Sequence, residues 1–121
     1  MSDKVTSNDI KDIGEVKIAD DVVASIAGLA ASEVKTVASM RGNATSGIIG
    51  MLGIKNSSKG VEVEISQRQV IVNLYINVFY GSSIPKTSLL VQEKVKNAIE
   101  NMTGLTVSEV NVHVAGITVN Q

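Results

Sequence analysis

Between Val70 and Gly81 the chain reads VIVNLYINVFYG, and its side chains sort by parity. Val70, Val72, Leu74, Ile76 and Val78 share one face of an extended strand, while Ile71, Asn73, Tyr75, Asn77 and Phe79 share the other. That two-residue period, rich in β-branched and aromatic side chains, predicts a β-strand. The wholly apolar first face belongs against a layer of helices. The mixed second face is half wetted or covered by a partner. Before this strand Val61, Val63 and Ile65 alternate with Glu62 and Glu64, and Ser66–Gln69 is short enough to close a β-hairpin. Shorter runs at Glu15–Ile18 and Thr36–Met40 read as strands too. A last strand is predicted from about Thr106 to Val119, with Val110, Val112 and Val114 inward, Asn111 and His113 outward, and a bulge at Ala115-Gly116 where the alternation shifts.

Two stretches change to helical spacing. Val22, Val23, Ile26, Ala27, Ala30 and Val34 recur at steps of three and four, with Asp20 as expected cap and Asp21 in the first turn. Val91, Val95, Ala98, Ile99 and Met102 form a second stripe, started by a Ser83 cap and Pro85 and ended by Gly104. Leu89 lies about 200° from Val91 on that helix, on its far side. The order is β-α-β, a long loop, then β-β-α-β. It predicts an α+β two-layer sandwich with about five strands in one sheet and both helices on one face. If Thr36–Met40 is peripheral, the remainder is a ferredoxin-like split β-α-β arrangement.

Residues 1–12 are polar and charged and read as a disordered tail, leaving 13–121 as a single domain. Inside it, 41–60 (RGNATSGIIGMLGIKNSSKG) is irregular. This stretch has five glycines, an apolar patch of Ile48, Ile49, Met51, Leu52 and Ile54, and the cations Arg41, Lys55 and Lys59 without a single acidic residue. A connection of this length is commonly functional or mobile. Either its patch folds back as a turn capping the core, or it is an exposed contact surface for a partner or a membrane interface.

Composition then narrows the function. Eleven basic against twelve acidic residues leave a net charge of −1, a poor match to a phosphate backbone. Without cysteine there is no disulfide, thiolate nucleophile or Cys-based zinc site. The N-terminus lacks the apolar run of a signal peptide, and no stretch reaches the roughly 18 apolar residues of a membrane span. A cytoplasmic protein is expected.

Candidate chemistry is sparse. His113 is the only histidine; Glu109 shares its face, but a metal site or a nucleophilic triad needs further converging groups. Glu62 and Glu64 read as the wet side of a strand rather than a glycosidase pair. Gly42–Gly47 has the spacing of a phosphate-binding loop, yet Ile48 and Ile49 stand where Lys and Ser/Thr are required. Gly47–Gly50 and Gly50–Gly53 fit the GxxG of KH domains, but with apolar residues between the glycines. The sequence therefore calls for no catalytic residue, no metal ligand and no cofactor, and nucleic-acid binding through a KH-like module stays the runner-up.

Several segments together resemble a known family: GEVKIADDVVASIAGLAASEV, the hairpin KGVEVEIS…VIVNLYINVFYG, and VQEKVKNAIENMTGLTVSEVNVHVAGI. The most specific pieces are Tyr80-Gly81, Val91-Gln92, and Met102-Thr103-Gly104-Leu105 leading into Val110-Asn111-Val112. In order and spacing these resemble the alkaline shock proteins of Gram-positive bacteria, over about Gly14 to Val119. The resemblance implies a non-enzymatic protein of envelope stress and homeostasis, cytoplasmic, in some members associated with the membrane through a membrane-anchored partner and in some tied to control of fatty-acid or lipid synthesis. Combined with the residue reading, it gives an interaction module that self-associates or docks on such a partner. The expected contact residues are Arg41, Ile48, Ile49, Met51, Leu52, Ile54, Lys55 and Lys59, with Tyr75 and Phe79 on the second face of the long strand.

Overall fold

The computed structural model describes residues 13–41 and 59–119. Six elements follow one another: helix α1 (Asp20–Ser32), strands β1 (Val37–Met40), β2 (Val61–Ser66) and β3 (Gln69–Phe79), helix α2 (Ile84–Thr103) and strand β4 (Thr106–Thr118). The expected tail over 1–12 and the interior of the 41–60 segment lie outside the described residues.

Strand β3 is the centre of the sheet because every other strand pairs with it. β4 runs parallel along its whole length, from Gln69↔Thr106 to Phe79↔Thr118. β2 is antiparallel to its first half, and β1 is antiparallel to its second. A strand has only two edges, and β4 occupies one of them. β1 and β2 therefore share the other, end to end. Tyr75 is the joint between them. Its N–H donates to the Gly60 carbonyl at 2.8 Å, and its carbonyl accepts from the Arg41 N–H at 2.8 Å. The two short strands are halves of one edge strand, and the segment between them leaves and re-enters the sheet at Tyr75. Gly60 makes this possible: at φ +79°, a Cβ would stand 3.0 Å from the Arg41 and Tyr75 carbonyl oxygens.

Both helices lie on the apolar face of β3, where Val70, Val72, Leu74, Ile76 and Val78 are fully buried. The result is an α+β two-layer sandwich, as the pattern predicts, with four strands among the described residues. The alternation at Glu15–Ile18 forms no strand. That segment is irregular and exposed apart from Ile18, which packs on the edge of the core as the chain enters α1. Alternation over four residues is too weak to hold a strand without a partner edge. Val23, Ile26, Ala27 and Ala30 are buried as expected, whereas Val22 (50% exposed) and Met102 (71%) are not. Both rim the groove between the helices instead of facing the sheet.

Local chemistry sets the element ends. Ser83 caps α2 by accepting from the Lys86 N–H, Pro85 sits in its first turn, and Gly104 ends it at φ 77°. α1 differs from expectation: Ala19 holds the cap position without a side-chain hydrogen bond, and Asp20 and Asp21 both lie in the first turn. The bulge expected at Ala115-Gly116 is present, as a register shift in which Asn77 pairs with Gly116. Gln67 and Arg68, which close the β2–β3 hairpin, both have positive φ (52° and 65°). That conformation matches the right-handed twist of a two-residue hairpin turn. Thr87, the one buried polar side chain among the described residues, shares a 2.6 Å hydroxyl–hydroxyl hydrogen bond with Thr36, tying α2 to the entrance of β1.

Glu100 holds the turn from α2 into β4. Its carboxylate accepts from the Lys96 ammonium at 2.8 Å and from the Val107 N–H at 3.0 Å. The Lys96 hydrogen bond, followed by the Val107 N–H, holds the Glu100 carboxyl below its ordinary range. A depressed folded-state pKa contributes stability above the unfolded value, and that contribution disappears as pH falls through the folded one. Urea midpoints should therefore favour the wild type over Glu100→Gln at pH 7. The difference should start to shrink as the pH falls past the ordinary glutamate value, roughly 4.3, and vanish only below the depressed folded value.

Candidate functional site

With both helices on one side, the other face of the sheet has no layer over it among the described residues. Strand pairing arranges that face in rows. At Ile71 the neighbours are Glu64 and Glu109, and at Asn73 they are Glu62 and Asn111. At Tyr75 the β1–β2 joint brings Arg41 from one side, and the register of β4 brings His113 from the other. The Arg41 guanidinium carbon lies 4.1 Å from the Tyr75 ring centre. The His113 ring stacks on Tyr75 at 4.6 Å with 13° between planes. A cation, a phenol and an imidazole thus lie side by side across the sheet, a contact type that gains from the quadrupole of the ring.

Hydrogen bonds fix the surroundings of this stack. The Tyr75 hydroxyl donates to Glu62 Oε1 at 3.4 Å, and the Asn111 amide donates to Asn73 Oδ1 at 3.2 Å and to Glu109 Oε1 at 3.3 Å. His113 Nε2 lies 3.4 Å from the same Asn73 oxygen. One row further, Asn77 donates to Ser39 Oγ at 3.0 Å. Much of the face is therefore pre-set, with half-buried Ile71, Tyr75 and Phe79 among polar groups of which Glu62, Asn73, Asn77, Glu109, Asn111 and His113 have partners. Its acidic groups (Glu62, Glu64, Glu109) lie toward the hairpin end, and Arg41 lies beyond them.

Of the residues expected from sequence to make contacts, Arg41, Tyr75 and Phe79 do fall on this one face, and Lys59 is exposed where the chain returns to the sheet. Ile48, Ile49, Met51, Leu52, Ile54 and Lys55 lie outside the described residues. His113 is the member that sequence reasoning left as an ordinary surface residue. Nothing local marks it, because its place beside Tyr75 depends on the parallel pairing of strands separated by a whole helix.

Other places offer less. A groove of about 470 Å³ between the helices is lined by Ile26, Leu29, Ala98 and Met102 and crossed at its rim by the Lys94–Glu33 pair at 3.5 Å. Among the described residues, no three His, Cys, Asp or Glu side chains converge as metal ligands. Nor is any described helix long and apolar enough to cross a membrane.

A sequence model of the alkaline shock protein 23 family, described as having a cell envelope-related function, matches residues 8–119. The uncharacterized protein YqhY of Bacillus subtilis (strain 168) is 43% identical over 105 residues, covering 87% of this chain and 78% of that protein. YloU of the same organism, also uncharacterized, is 33% identical over 108 residues, covering 88% and 90%. A stress response regulator gls24 homolog of Streptococcus pyogenes serotype M3 is 30% identical over 123 residues, covering 97% of this chain and 69% of its own. Among solved structures, a copper form of the MamM CTD aligns with a TM-score of 0.50 at 11% identity, covering 85% of this chain and all of that one. That last likeness is one of fold.

Proposed function

Because this chain belongs to the alkaline shock protein 23 family, whose function is related to the cell envelope, we propose that it serves the envelope by binding and performs no reaction of its own. The working surface in this reading is the uncovered sheet face together with segment 41–60. Through it the protein self-associates or docks on a membrane-anchored protein, and so bears on stress homeostasis and lipid synthesis. The observation that carries the reading is the Arg41–Tyr75–His113 stack: three large side chains held in contact on a face that no element of the described chain covers. A soluble domain rarely leaves aromatic and apolar groups together in the open without a use for them.

The rival KH-like reading meets three carboxylates, Glu62, Glu64 and Glu109, on that same face. A phosphate backbone laid there would be repelled by each of them.

Co-sedimentation with membranes of the source cell tests the proposal. Two variants are compared with the wild type, one with Tyr75 and Phe79 changed to Ala, the other with Ile48, Ile49 and Leu52 changed to Ser. Each should reduce the membrane-bound fraction about tenfold, the loss of roughly 1.4 kcal/mol of contact, while circular dichroism keeps the native spectrum. Unchanged binding by both would overturn the reading. Tight nucleic-acid binding that falls steeply with salt would instead favour the rival.

A further inference from the structure

We propose that the uncovered sheet face pairs with the same face of a second copy, with the two β3 strands antiparallel. This inference rests on the reading of that face as the working surface and names one occupant for it.

Two strand-aligned arrangements of a two-fold pairing of this face with itself bring different charges together, one with the axis along β3 and one with it across. With the axis along β3, each row meets its own row and the lanes exchange. Glu64 then lies over the partner's Glu109, and Glu109 over the partner's Glu64, so four carboxylates meet in two like-charge pairs. With the axis across β3 between Asn73 and Tyr75, each lane meets itself and the rows exchange. Arg41 then lies over the partner's Glu62, and the same pair forms again by symmetry. Glu64 meets the partner's Ser39, Glu109 meets the partner's Gly116, and His113 meets the partner's Asn111. No like charges oppose. Among the described residues Arg41 has no carboxylate within ion-pair distance in its own chain, so its charge is available to a second one. Of these two, the antiparallel arrangement with its axis between Asn73 and Tyr75 is the one that sets opposite charges together, and charge complementarity is what fixes register in interfaces generally. Stacked sheets cross at about −30°, which leaves the central rows in register.

The size of the face sets the strength. An eleven-residue strand spans roughly 35 Å, and three lanes roughly 14 Å. Each copy thus covers roughly 500 Å², about 1,000 Å² in total, which is the floor for a specific interface. The dimer should be weak, with a dissociation constant of roughly 10–100 μM, and weaker still in high salt.

Sedimentation equilibrium of the full chain, from low micromolar to several hundred micromolar, tests this. The wild type should dimerise. Arg41→Glu and Glu62→Arg should each raise the dissociation constant at least about tenfold, since each places like charges opposite one another twice. Mixed in equal amounts, the two variants should form a heterodimer, because both Arg–Glu contacts are then restored. A wild type that stays monomeric overturns the inference, as does association that survives either single substitution or a mixture that fails to pair. Both substitutions are at exposed positions, and thermal melts confirm that each variant is folded. If self-association fails while the Tyr75 and Phe79 variant still loses membrane binding, the face serves another partner and only the present inference falls.

Discussion

Leu74→Ala is expected to cost about 2–5 kcal/mol in urea unfolding, a large share of the roughly 5–15 kcal/mol that holds a domain of this size together. Leu74 is fully buried at the centre of the one strand that touches every other strand, with helices over it. Removing its isobutyl group leaves a cavity that the close-packed Val and Ile neighbours cannot fill. The neighbouring Asn73 is the control. Its half-buried side chain lies on the other face and, among the described residues, bonds with Asn111 and His113, so Asn73→Ala should cost no more than about 1 kcal/mol. Equal losses at the two positions would mean that both faces of the sheet are covered in the isolated chain.

Gly60→Ala carries the second large effect, about 3 kcal/mol. A left-handed backbone costs a non-glycine residue about 1–2 kcal/mol. At Gly60 a Cβ would also press on the Arg41 and Tyr75 carbonyl oxygens, both at 3.0 Å, and the Tyr75 carbonyl is the one that accepts the Arg41 N–H at the joint. Gly81→Ala separates these contributions, because Gly81 has a similar φ of +92° with nothing within 4 Å of its would-be Cβ. Only the conformational cost, about 1–2 kcal/mol, should appear there. Urea midpoints of the two variants side by side measure the difference. Should they fall together, the joint at Tyr75 is not what positions the two halves of the edge strand.

The two large effects differ in how visible they are in the amino-acid pattern. The buried face of β3 can be read directly, because a two-residue period over eleven positions leaves no other regular structure that segregates its apolar groups. Ser83, Pro85 and Gly104 are as plain, since their roles depend on their own backbone chemistry. By contrast, Thr36–Met40 and Val61–Ile65 look like independent strands. Only their pairing to successive halves of β3 shows them to be one edge, and that pairing spans residues far apart in the chain. Val22 and Met102 continue their helical stripes by spacing, yet they look into the interhelical groove, because a stripe read at 100° per residue does not say where a second helix stops. Glu15–Ile18 fails for lack of a partner edge, which no four-residue alternation can reveal.

The proposed contact surface shows the same division. Tyr75 and Phe79 follow from parity, and Arg41 follows from the composition of its segment. Their assembly with His113 does not, because it needs the parallel register of β3 on β4 across the whole of α2. The proposed binding role is supported by the chemistry of the face. Most of its polar groups are tied to one another, and Glu62 and Glu64 lie two residues apart on β2 while Glu109 lies across β3 on β4, so the three are not gathered around one point. A reaction centre requires an acid, a base or a nucleophile converging on one substrate atom.

That the uncovered sheet face is the working surface is tested most directly by hydroxyl-radical footprinting. Labelling is compared between the dilute chain and the chain bound to membranes of the source cell. Tyr75, Phe79 and His113 should label in the dilute chain and lose most of that labelling when bound, while Leu29, Leu89 and Met102 on the helical side stay unchanged. Protection of the helical side with Tyr75 and His113 still fully labelled would contradict the account.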